Sequence, residues 1–346
     1  MNLKNQGSFL ILALWSLSLL AAFSISLGYS VRQKATLLAR INTYENLYPI
    51  TYSGIEAARD LLKAGDQAPR TNTLSDEWAK NNSRFKEIRL GERGSFSVSY
   101  QMLVPEQKET VIIYGLVDEQ SKININTSDA ATLTRILQIA AGLDKDMAEE
   151  MAYCIIDWRD SDSTFQHASY GAEDDYYNHL EVSYGAKNAP FEVLDELLVV
   201  KGISREIFNK IKPYLTAYGT GHVNVNTAPK EVLLALGLED RLVEKLLNYR
   251  RGEDREDRTV DDRGFSQSSS IATELAKSTA IDAAETAALE ALISTGKLGT
   301  FSTQFFVHSH GILTMNGAYL DMESVIDRKG KIYYLRTSKV QWPSQV

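Results

Sequence analysis

The first part of the chain contains one long apolar run followed by a helical stripe. Residues 8–30 form a stretch of 23 residues without a charge, rich in Leu, Ile, Ala and Phe. At about 1.5 Å per helical residue, this stretch is long enough to cross a hydrocarbon core of about 30 Å. Apolar side chains continue at three-four spacing from Leu37 to Tyr48. Pro49, which lacks a backbone N–H, is predicted to end this helix, and a second helix is predicted over 55–62.

Alternating apolar and polar positions predict β-strands on both sides of a helical middle. Residues 95–102 alternate with period two, as in a half-buried antiparallel strand, and 111–117 predicts the second strand of a hairpin. Two further strands are predicted over 305–314 and 331–342. Between 119 and 300 the apolar spacing is helical. The pattern therefore predicts an α+β fold, in which a large helical insertion interrupts a small antiparallel sheet.

The helical middle contains an internal repeat. The segment 123–127, Ile-Asn-Ile-Asn-Thr, returns 100 residues later at 223–227 as Val-Asn-Val-Asn-Thr. An apolar helical pattern follows each copy. Thr127 and Thr227 are expected to cap these helices, because a hydroxyl can accept a hydrogen bond from an unpaired N–H of the first turn. The repeat is therefore interpreted as a helix-start motif.

Composition and charge exclude several classes of function. The chain has 45 acidic and 37 basic residues and a net charge of -8, so it lacks the basic excess of most nucleic-acid-binding proteins. With Cys154 as the only cysteine, no intrachain disulfide can form. The sequence contains neither a Ser-His-Asp nucleophile arrangement nor a phosphate-binding glycine loop. We therefore predict that the protein is not an enzyme.

An acidic segment and a histidine pair are the candidate ion-binding features. Six carboxylates fall within 19 residues, from Asp157 to Asp175. They repel one another unless a cation relieves the repulsion, and calcium takes six to eight oxygen ligands from flexible loops. The spacing is not that of an EF-hand, and a solvated acidic loop is the alternative. His308 and His310 would share one side of a strand, but without an acidic or cysteine partner nearby in sequence they are interpreted as ordinary strand residues.

The amino terminus supplies the first family resemblance. Met1–Gly7 is short and polar, and Gly7 immediately precedes the apolar run that begins at Ser8. This junction resembles the class III signal of type IV pilins and type II secretion pseudopilins. The resemblance implies that a prepilin peptidase cuts after Gly7 and methylates the amino group of Ser8. Leu12 stands where major pilins carry a glutamate, a departure shared by the protein K subunits among pseudopilins.

The resemblance to the type II secretion protein K family extends over nearly the whole chain. It is carried by the leader, the two Asn-x-Asn-Thr segments, the acidic segment and the Lys-Asn-Ala-Pro-Phe sequence at 187–191. It implies a pilin-like helix and small sheet interrupted by an α-domain with helix-hairpin-helix-like elements. The implied divisions are a leader over 1–7, a transmembrane helix over 8–30, a pilin-like helix and first strands over 31–118, an inserted α-domain over 119–300 and C-terminal strands over 301–346.

The family also implies a site and a role. In the inserted domain a structural calcium ion is expected on Asp160, Asp162, Glu173 and Asp174. Asp157 and Asp175 are further candidates. The implied function is that of a minor pseudopilin, which initiates and caps the tip of a periplasmic pseudopilus that exports folded proteins.

The resemblance implies partners and a location as well. The chain would be held in the inner membrane by a single span, with its bulk in the periplasm. Its expected partners are the other minor pseudopilins of a tip complex, the prepilin peptidase and, as further candidates, the secreted exoproteins. Nucleic acid is not among them.

The sequence leaves further functions open. Residues 201–204, Lys-Gly-Ile-Ser, resemble the hairpin of helix-hairpin-helix modules, which suggests a membrane-anchored DNA receptor. The missing second glycine and the acidic surroundings count against DNA binding. An ordinary anchored periplasmic protein, a cleaved secretory signal and a minor pilin of a related type IV pilus are also compatible with the apolar run. Basic residues flank this run on both sides and do not decide its orientation.

Overall fold

A single long helix leads into the folded body. The computed structural model describes residues 6–65, 71–104 and 109–342. Its first element, α1 (Gln6–Ala64), is a continuous helix of 59 residues. Among the described residues it is the one helix that is long and apolar enough to cross a membrane, and the side chains of its apolar part are exposed.

The predicted helix end at Pro49 is wrong. Pro49 lies inside α1. Its ring removes one helical hydrogen bond. Packing holds the turns around it, because Leu47, Ile50 and Thr51 are buried against the sheet. The second predicted helix is therefore the end of the first.

Shorter helices and strands follow α1. The strands are, in chain order, β1 (Ile88–Leu90), β2 (Gly94–Val98), β3 (Tyr100–Val104), β4 (Glu109–Ile113), β5 (Val117–Asp118), β6 (Ile123–Asn124), β7 (Leu215–Thr216), β8 (Val223–Asn224), β9 (Leu298–Gly299), β10 (Gln304–Leu313), β11 (Tyr319–Asp327) and β12 (Ile332–Gln341). The helices are α2 (Asn82–Phe85), α3 (Ala130–Ala141), α4 (Lys145–Arg159), α5 (Asp174–Asn178), α6 (Arg205–Ile211), α7 (Lys230–Ala235), α8 (Asp240–Arg250), α9 (Ile271–Ser278) and α10 (Ala283–Ser294).

The main sheet packs one face against α1. Its antiparallel order is β1-β2-β10-β11-β12, and β5 pairs with the beginning of β10. Alternate residues of β10, including Phe305 and Val307, point toward α1 and are fully buried. Together with Leu47 and Ile55 of α1 they belong to the first hydrophobic core. The opposite face of the sheet carries the intervening residues of each strand.

The strand predictions are correct in class and incomplete in detail. The alternating run 95–102 divides at Ser99, so that β2 joins the main sheet while β3 forms a separate hairpin with β4. Two C-terminal strands lie where they are predicted. Between them lies β11, which is absent from the predicted strands. Its alternation of Leu320 and Met322 with Asp321 and Glu323 is short and ends at Ser324, the first of three consecutive buried residues.

The insertion between β5 and β10 is mainly helical and contains the second hydrophobic core, with buried residues from Ile123 to Leu298. Three of its turns share one backbone geometry. Gly142 lies between α3 and α4, Gly202 precedes α6, and Gly237 lies between α7 and α8; their φ values are +72°, +84° and +96°. Only glycine adopts such angles without strain. The α+β class with an inserted helical body and hairpin elements is thus confirmed.

The Ala-rich segment near the end of the insertion forms two helices, α9 and α10, although its apolar spacing would also suit one continuous helix. Asp282 begins α10 by accepting a hydrogen bond from the Glu285 N–H, while the Glu285 carboxylate accepts one from the Asp282 N–H. This reciprocal capping favours a new helix start inside the apolar pattern.

In the two repeated segments, asparagines form long-range hydrogen bonds, and the threonines do not cap the helices. Asp129 caps α3, and Pro229 occupies the cap position of α7, so the predicted threonine caps are wrong. Asn126 instead accepts from the N–H of Phe191 at 2.8 Å and donates to its carbonyl at 2.9 Å. Asn226 makes the same pair of bonds with Phe265, at 2.8 and 3.0 Å. Each repeat therefore clamps the backbone of a distant phenylalanine.

Candidate metal centre

The acidic loop is closed at its base by a buried carboxylate. Asp157 lies in the last turn of α4, and its two oxygens accept hydrogen bonds from the N–H groups of Gln166 and Ala172, both at 3.1 Å. Burial raises the pKa of Asp157, while these two donors lower it. Gly171 lies against this carboxylate with φ of +124°, and a Cβ there would collide with an Asp157 oxygen. Asp157 thus holds both arms of the loop and has little freedom to bind an ion.

Three carboxylates meet at the loop. Asp160, Asp162 and Glu173 each present one oxygen, and these oxygens lie within 4.8 Å of one another. Asp160 follows the end of α4, and Glu173 immediately precedes α5. The sequence separation of 11 to 13 residues is therefore bridged by the loop that Asp157 closes.

Glu173 is the most unusual member of this cluster. Its side chain is buried, and neither carboxylate oxygen has a hydrogen-bond partner among the described residues. Burial is the main cause that raises its pKa to about 7, and the neighbouring charges of Asp157, Asp160 and Asp162 raise it further. A buried carboxylate without a donor is unfavourable by several kcal/mol unless a proton or a cation neutralises it.

The other two carboxylates, those of Asp160 and Asp162, already accept hydrogen bonds from the protein. Asp160 accepts a hydrogen bond from the side-chain amide of Gln166 at 2.9 Å, while its second oxygen is buried without a partner among the described residues. Asp162 is exposed and accepts from the N–H of Thr164 at 2.8 Å. These hydrogen bonds orient the two side chains and leave oxygen lone pairs for a further ligand.

Asp174 and Asp175 lie outside the group of three. One Asp174 oxygen accepts from the N–H of Ala186 at 2.8 Å, which ties α5 to the following loop. The Asp175 side chain is 90% exposed and lies 3.7 Å from His179. His167 packs against Tyr153 and Tyr170, with ring centroids 4.6 and 4.8 Å away. The structure thus brings together three of the four predicted ligands.

One further oxygen was not indicated by the sequence. The side-chain carbonyl of Asn188 is buried without a hydrogen-bond partner in the described part of the chain, and the Asn188 amide lies 3.5 Å from the Ser163 hydroxyl of the acidic loop. Asn188 also has a positive φ of 49°. A single Asn in a loop gives no ligand pattern, so only the fold reveals that it faces this loop.

The donor set fits a hard divalent cation. The unpaired acceptor atoms at the loop, on Asp160, Glu173 and Asn188, are all oxygens, and Glu173 is a buried carboxylate. Calcium prefers such a set over nitrogen or sulfur ligands. An ion here would neutralise Glu173 and connect the end of α4 to the beginning of α5. The arrangement is suited to structural stabilisation.

The hairpin that resembles a DNA-binding module uses its polar groups internally. The N–H of Lys201 donates to the hydroxyl of Tyr177 at 3.3 Å, and the Lys201 ammonium lies 2.9 Å from the carboxylate of Glu150. In phosphate-binding hairpins these groups would face the ligand. Here they connect the hairpin to α4 and to the helix that follows the acidic loop.

The remaining candidate residues lie outside the acidic loop. Cys154 is buried in α4, and burial raises the pKa of its thiol to about 12, so it stays protonated. Gly7 and Ser8 lie in the first turns of α1, and residues 1–5 of the predicted leader fall outside the described residues. Leu12 is exposed on α1.

Comparison with known proteins confirms the resemblance suggested by the sequence. Residues 113–220 match the family model of type II secretion system (T2SS), protein K. The type II secretion system protein K of Pectobacterium carotovorum subsp. carotovorum is 31% identical over 110 residues, covering 32% of this chain and 33% of that protein. A putative type II secretion system protein K of Escherichia coli is 25% identical over 239 residues, covering 65% of this chain and 66% of that protein. The chain thus spans between a third and two thirds of these relatives.

The fold is similar to a solved structure over most of its length. A chain in the crystal structure of the GspK-GspI-GspJ complex from the enterotoxigenic Escherichia coli type 2 secretion system aligns with a TM-score of 0.60. The alignment covers 90% of this chain and 99% of that chain at 18% identity. The fold is therefore shared, and residues 113–220 match the protein K family model.

Proposed function

We propose that this protein is a minor pseudopilin of a type II secretion system, which acts by assembly and not by catalysis. The proposal is carried by a protein K domain inside a fold that aligns over 90% of the chain with a subunit of a pseudopilin complex. The exposed apolar part of α1 would anchor the chain in the inner membrane. The body that follows would lie in the periplasm.

Its position in the filament would be the tip. The similar structure is a complex of three subunits, GspK, GspI and GspJ, so two sister minor pseudopilins are the proposed partners. Leu12 supports a terminal position, because an apolar side chain offers no carboxylate to pair with the amino terminus of another subunit. The helical insertion would cover the upper end and prevent addition there. Such a subunit would initiate the pseudopilus and cap it during export of folded proteins, which are further candidate partners.

Calcium would serve as a structural ion in this body. Asp160, Asp162 and Glu173 would hold it, and Asn188 offers a further oxygen. When bound, the ion supplies positive charge that neutralises the buried carboxylate. Asp174 is the fourth ligand implied by the family resemblance, and the Ala186 N–H already occupies one of its oxygens.

Processing and assembly can be tested together. The full chain is expressed in a membrane with a prepilin peptidase, with and without two sister minor pseudopilins. The expected product lacks Met1–Gly7, carries one methyl group on Ser8 and co-purifies with both sisters. Gly7→Val should block cleavage, whereas Gly28→Val, in an open position of the same helix, should be processed normally.

Three results would contradict the proposal. An intact Met1 in the membrane form would exclude pilin-type processing, and cleavage near Ser24 would indicate an ordinary secretory signal. A chain that is processed but never associates with sister subunits would exclude the tip complex. Retardation of duplex DNA at low salt would favour a membrane-anchored DNA receptor.

A further inference from the structure

Two histidines lie side by side on the face of the sheet that points away from α1. In β10 the buried positions are Phe305, Val307 and Ser309, so His308 and His310 point to the opposite face, each about one third exposed. Strand register places Glu323 opposite His308 and Asp321 opposite His310. Both acidic residues belong to β11. The acidic partner that the sequence around the histidines lacks is therefore provided by the neighbouring strand.

Both imidazoles converge on one carboxylate oxygen. Nδ1 of His310 is in hydrogen-bond contact with Oδ1 of Asp321. Nε2 of His308 lies 3.9 Å from the same oxygen. The Asp321 side chain is only 13% exposed, so water screens this contact poorly. Both imidazole nitrogens thus approach the same carboxylate oxygen from different sides.

A hydrogen bond from Nδ1, the ring nitrogen that does not face Asp321, fixes the orientation of His308. Its Nδ1 lies 3.2 Å from the backbone carbonyl of Ser99. A carbonyl can only accept a hydrogen bond, so Nδ1 carries the proton and the neutral ring has its lone pair on Nε2. This lone pair faces the Asp321 carboxylate, which is also an acceptor. A cation between the two acceptors would relieve their repulsion, and metal-binding histidines are commonly oriented by such a hydrogen bond to a carbonyl.

The other charged groups on this face have partners of their own. Glu323 lies 3.0 Å from Arg336 on β12. Lys339, opposite Asp321 on β12, has its ammonium 5.4 Å from the centre of the Tyr319 ring. Asp321 is therefore the carboxylate that both imidazoles contact, and the Lys339 ammonium, which lies beside the Tyr319 ring, also interacts with it electrostatically.

We propose that His308, His310 and Asp321 form a binding site for a divalent transition metal ion, with Zn²⁺ as the best fit. Two imidazoles and one carboxylate are a common three-ligand set for zinc, with a fourth position for water. Tetrahedral zinc with bonds of about 2.0–2.1 Å places its ligand atoms about 3.3 Å apart. To share one ion, the rings of His308 and His310 must rotate toward each other, and the ion replaces the His310 hydrogen bond to Asp321.

This site differs in chemistry from the acidic loop. The loop offers only oxygen atoms, which suit calcium, whereas imidazole nitrogen favours zinc and copper. Saturating calcium should therefore occupy the loop and leave the sheet site free. Copper(II) is expected to bind the sheet site more tightly than zinc, following the usual order of divalent affinities.

Binding can be measured on the full chain in detergent after treatment with a chelator. In the presence of saturating calcium, titration with Zn²⁺ against a chromophoric chelator should give one ion per chain. His308→Gln and His310→Gln should each weaken zinc binding by at least about tenfold, and Asp321→Asn by a similar factor. His179→Gln is the matched control, because His179 also lies beside an aspartate but is 80% exposed and has no second histidine at hand. It should bind zinc like the wild type.

A spectroscopic measurement keeps the proposal testable if a variant misfolds. The electron paramagnetic resonance spectrum of the wild-type chain with one equivalent of Cu²⁺ should show coupling to two imidazole nitrogens. The proposal is overturned if the wild type binds no zinc, if the double variant of His308 and His310 binds zinc as tightly as the wild type, or if the copper spectrum shows only oxygen ligands. The histidines would then form only an ion pair with Asp321 when protonated.

Discussion

At the residue scale, Glu173 combines deep burial with a carboxylate that no donor among the described residues satisfies. Its pKa, raised to about 7, is the expected response of such a group when no cation is bound. A cation bound at this group would therefore couple ion binding and protonation to folding. Asp160 and Asp162, although in the same cluster, retain hydrogen bonds from Gln166 and Thr164 and depend less on a cation.

The stability of the ion-free protein should depend on pH through Glu173. Its folded-state pKa of about 7 lies above the ordinary value of 4.5, so the unfolded chain loses this proton first as pH rises. The contribution of Glu173 to the free energy of unfolding should therefore be fully present below about pH 4.5 and lost as pH rises through about 7. Calcium should reverse this loss above pH 7, because the ion binds the ionised form.

Thermal melting with chelator and with calcium, at pH 5 and pH 8, measures this effect. Calcium at about 100 times its Kd should add about 2.7 kcal/mol at pH 8 and raise Tm by about 5 °C or more, with little change at pH 5. Glu173→Gln should remove the calcium response, whereas Glu181→Gln, an exposed neighbour, should keep it. An equal Tm with and without calcium at pH 8 would refute a stabilising ion at this loop.

At the element scale, the two Asn-x-Asn-Thr segments work as backbone clamps. In each copy the first asparagine accepts from the N–H of the second, at 2.8 Å for Asn124 and 3.0 Å for Asn224. The second asparagine then holds the N–H and the carbonyl of a distant phenylalanine. Short parallel pairs, β6 with β7 and β8 with β9, extend each clamp. The repeat thus fixes loops that return to the second core.

Removing one clamp should destabilise the protein strongly. Asn226→Ala would leave the N–H and carbonyl of Phe265 without their partners at a buried site, a loss of about 2–4 kcal/mol in the free energy of unfolding. Urea unfolding followed by tryptophan fluorescence measures this loss. Asn46→Ala, on an exposed turn of α1, should change the free energy by less than about 0.5 kcal/mol. A similarly small change in the free energy of unfolding for Asn226→Ala would show that the hydrogen bonds to Phe265 do not stabilise the fold.

Helices and strands were predictable where the spacing of apolar residues was regular over the whole element. The apolar run, the helical middle and two C-terminal strands follow from periodicity alone. The continuation of α1 through Pro49 does not, because packing on the sheet outweighs the loss of one hydrogen bond. Nor does β11, whose alternation is short because Ser324, Val325 and Ile326 are all buried. Missing β11 also hid the partner of His308 and His310, which is adjacent in the sheet and distant in sequence.

At the scale of the whole molecule, Asp118 joins the two hydrophobic cores. It lies in β5 and is buried, and one of its oxygens accepts from the side chains of Thr227, Asn224 and Ser302, at 2.5, 3.2 and 2.6 Å. Burial raises its pKa to about 6, and these donors oppose that shift. At neutral pH the group is therefore a carboxylate that binds the second repeat to the approach of β10.

Asp118→Asn should loosen this junction, because asparagine has one acceptor oxygen where aspartate has two. If that oxygen faces Thr227, Asn224 and Ser302, the amide nitrogen meets the N–H of Gln120, which now donates to Asp118 at 2.8 Å. We expect a loss of about 2–4 kcal/mol in the free energy of unfolding, together with faster hydrogen exchange in β5 and in the first residues of β10. Asp60→Asn, on the exposed side of α1, is the control and should leave both unchanged. Normal exchange at the junction in Asp118→Asn would show that packing alone joins the cores.

The candidate metal centre was predictable in part for the same reason as the fold. A dense local cluster of carboxylates is visible in the sequence, and three of the expected ligands do meet. The role of Asp157 as the closure of the loop, the diversion of Asp174 to Ala186 and the orientation of Asn188 depend on contacts between separate segments. No local pattern records such contacts.

The pairing of β5 with β10 has a consequence for how such a chain could have arisen. Asp118 lies opposite Phe305 in the antiparallel register, so the path that leaves the sheet and the path that re-enters it are one strand spacing apart, about 5 Å. The whole insertion between β5 and β10 therefore begins and ends at two neighbouring points of the sheet, which a tight turn could connect. In evolutionary history, the helical body could therefore have been acquired or exchanged as a unit by an older and smaller protein, without moving a single strand of the scaffold that carried it.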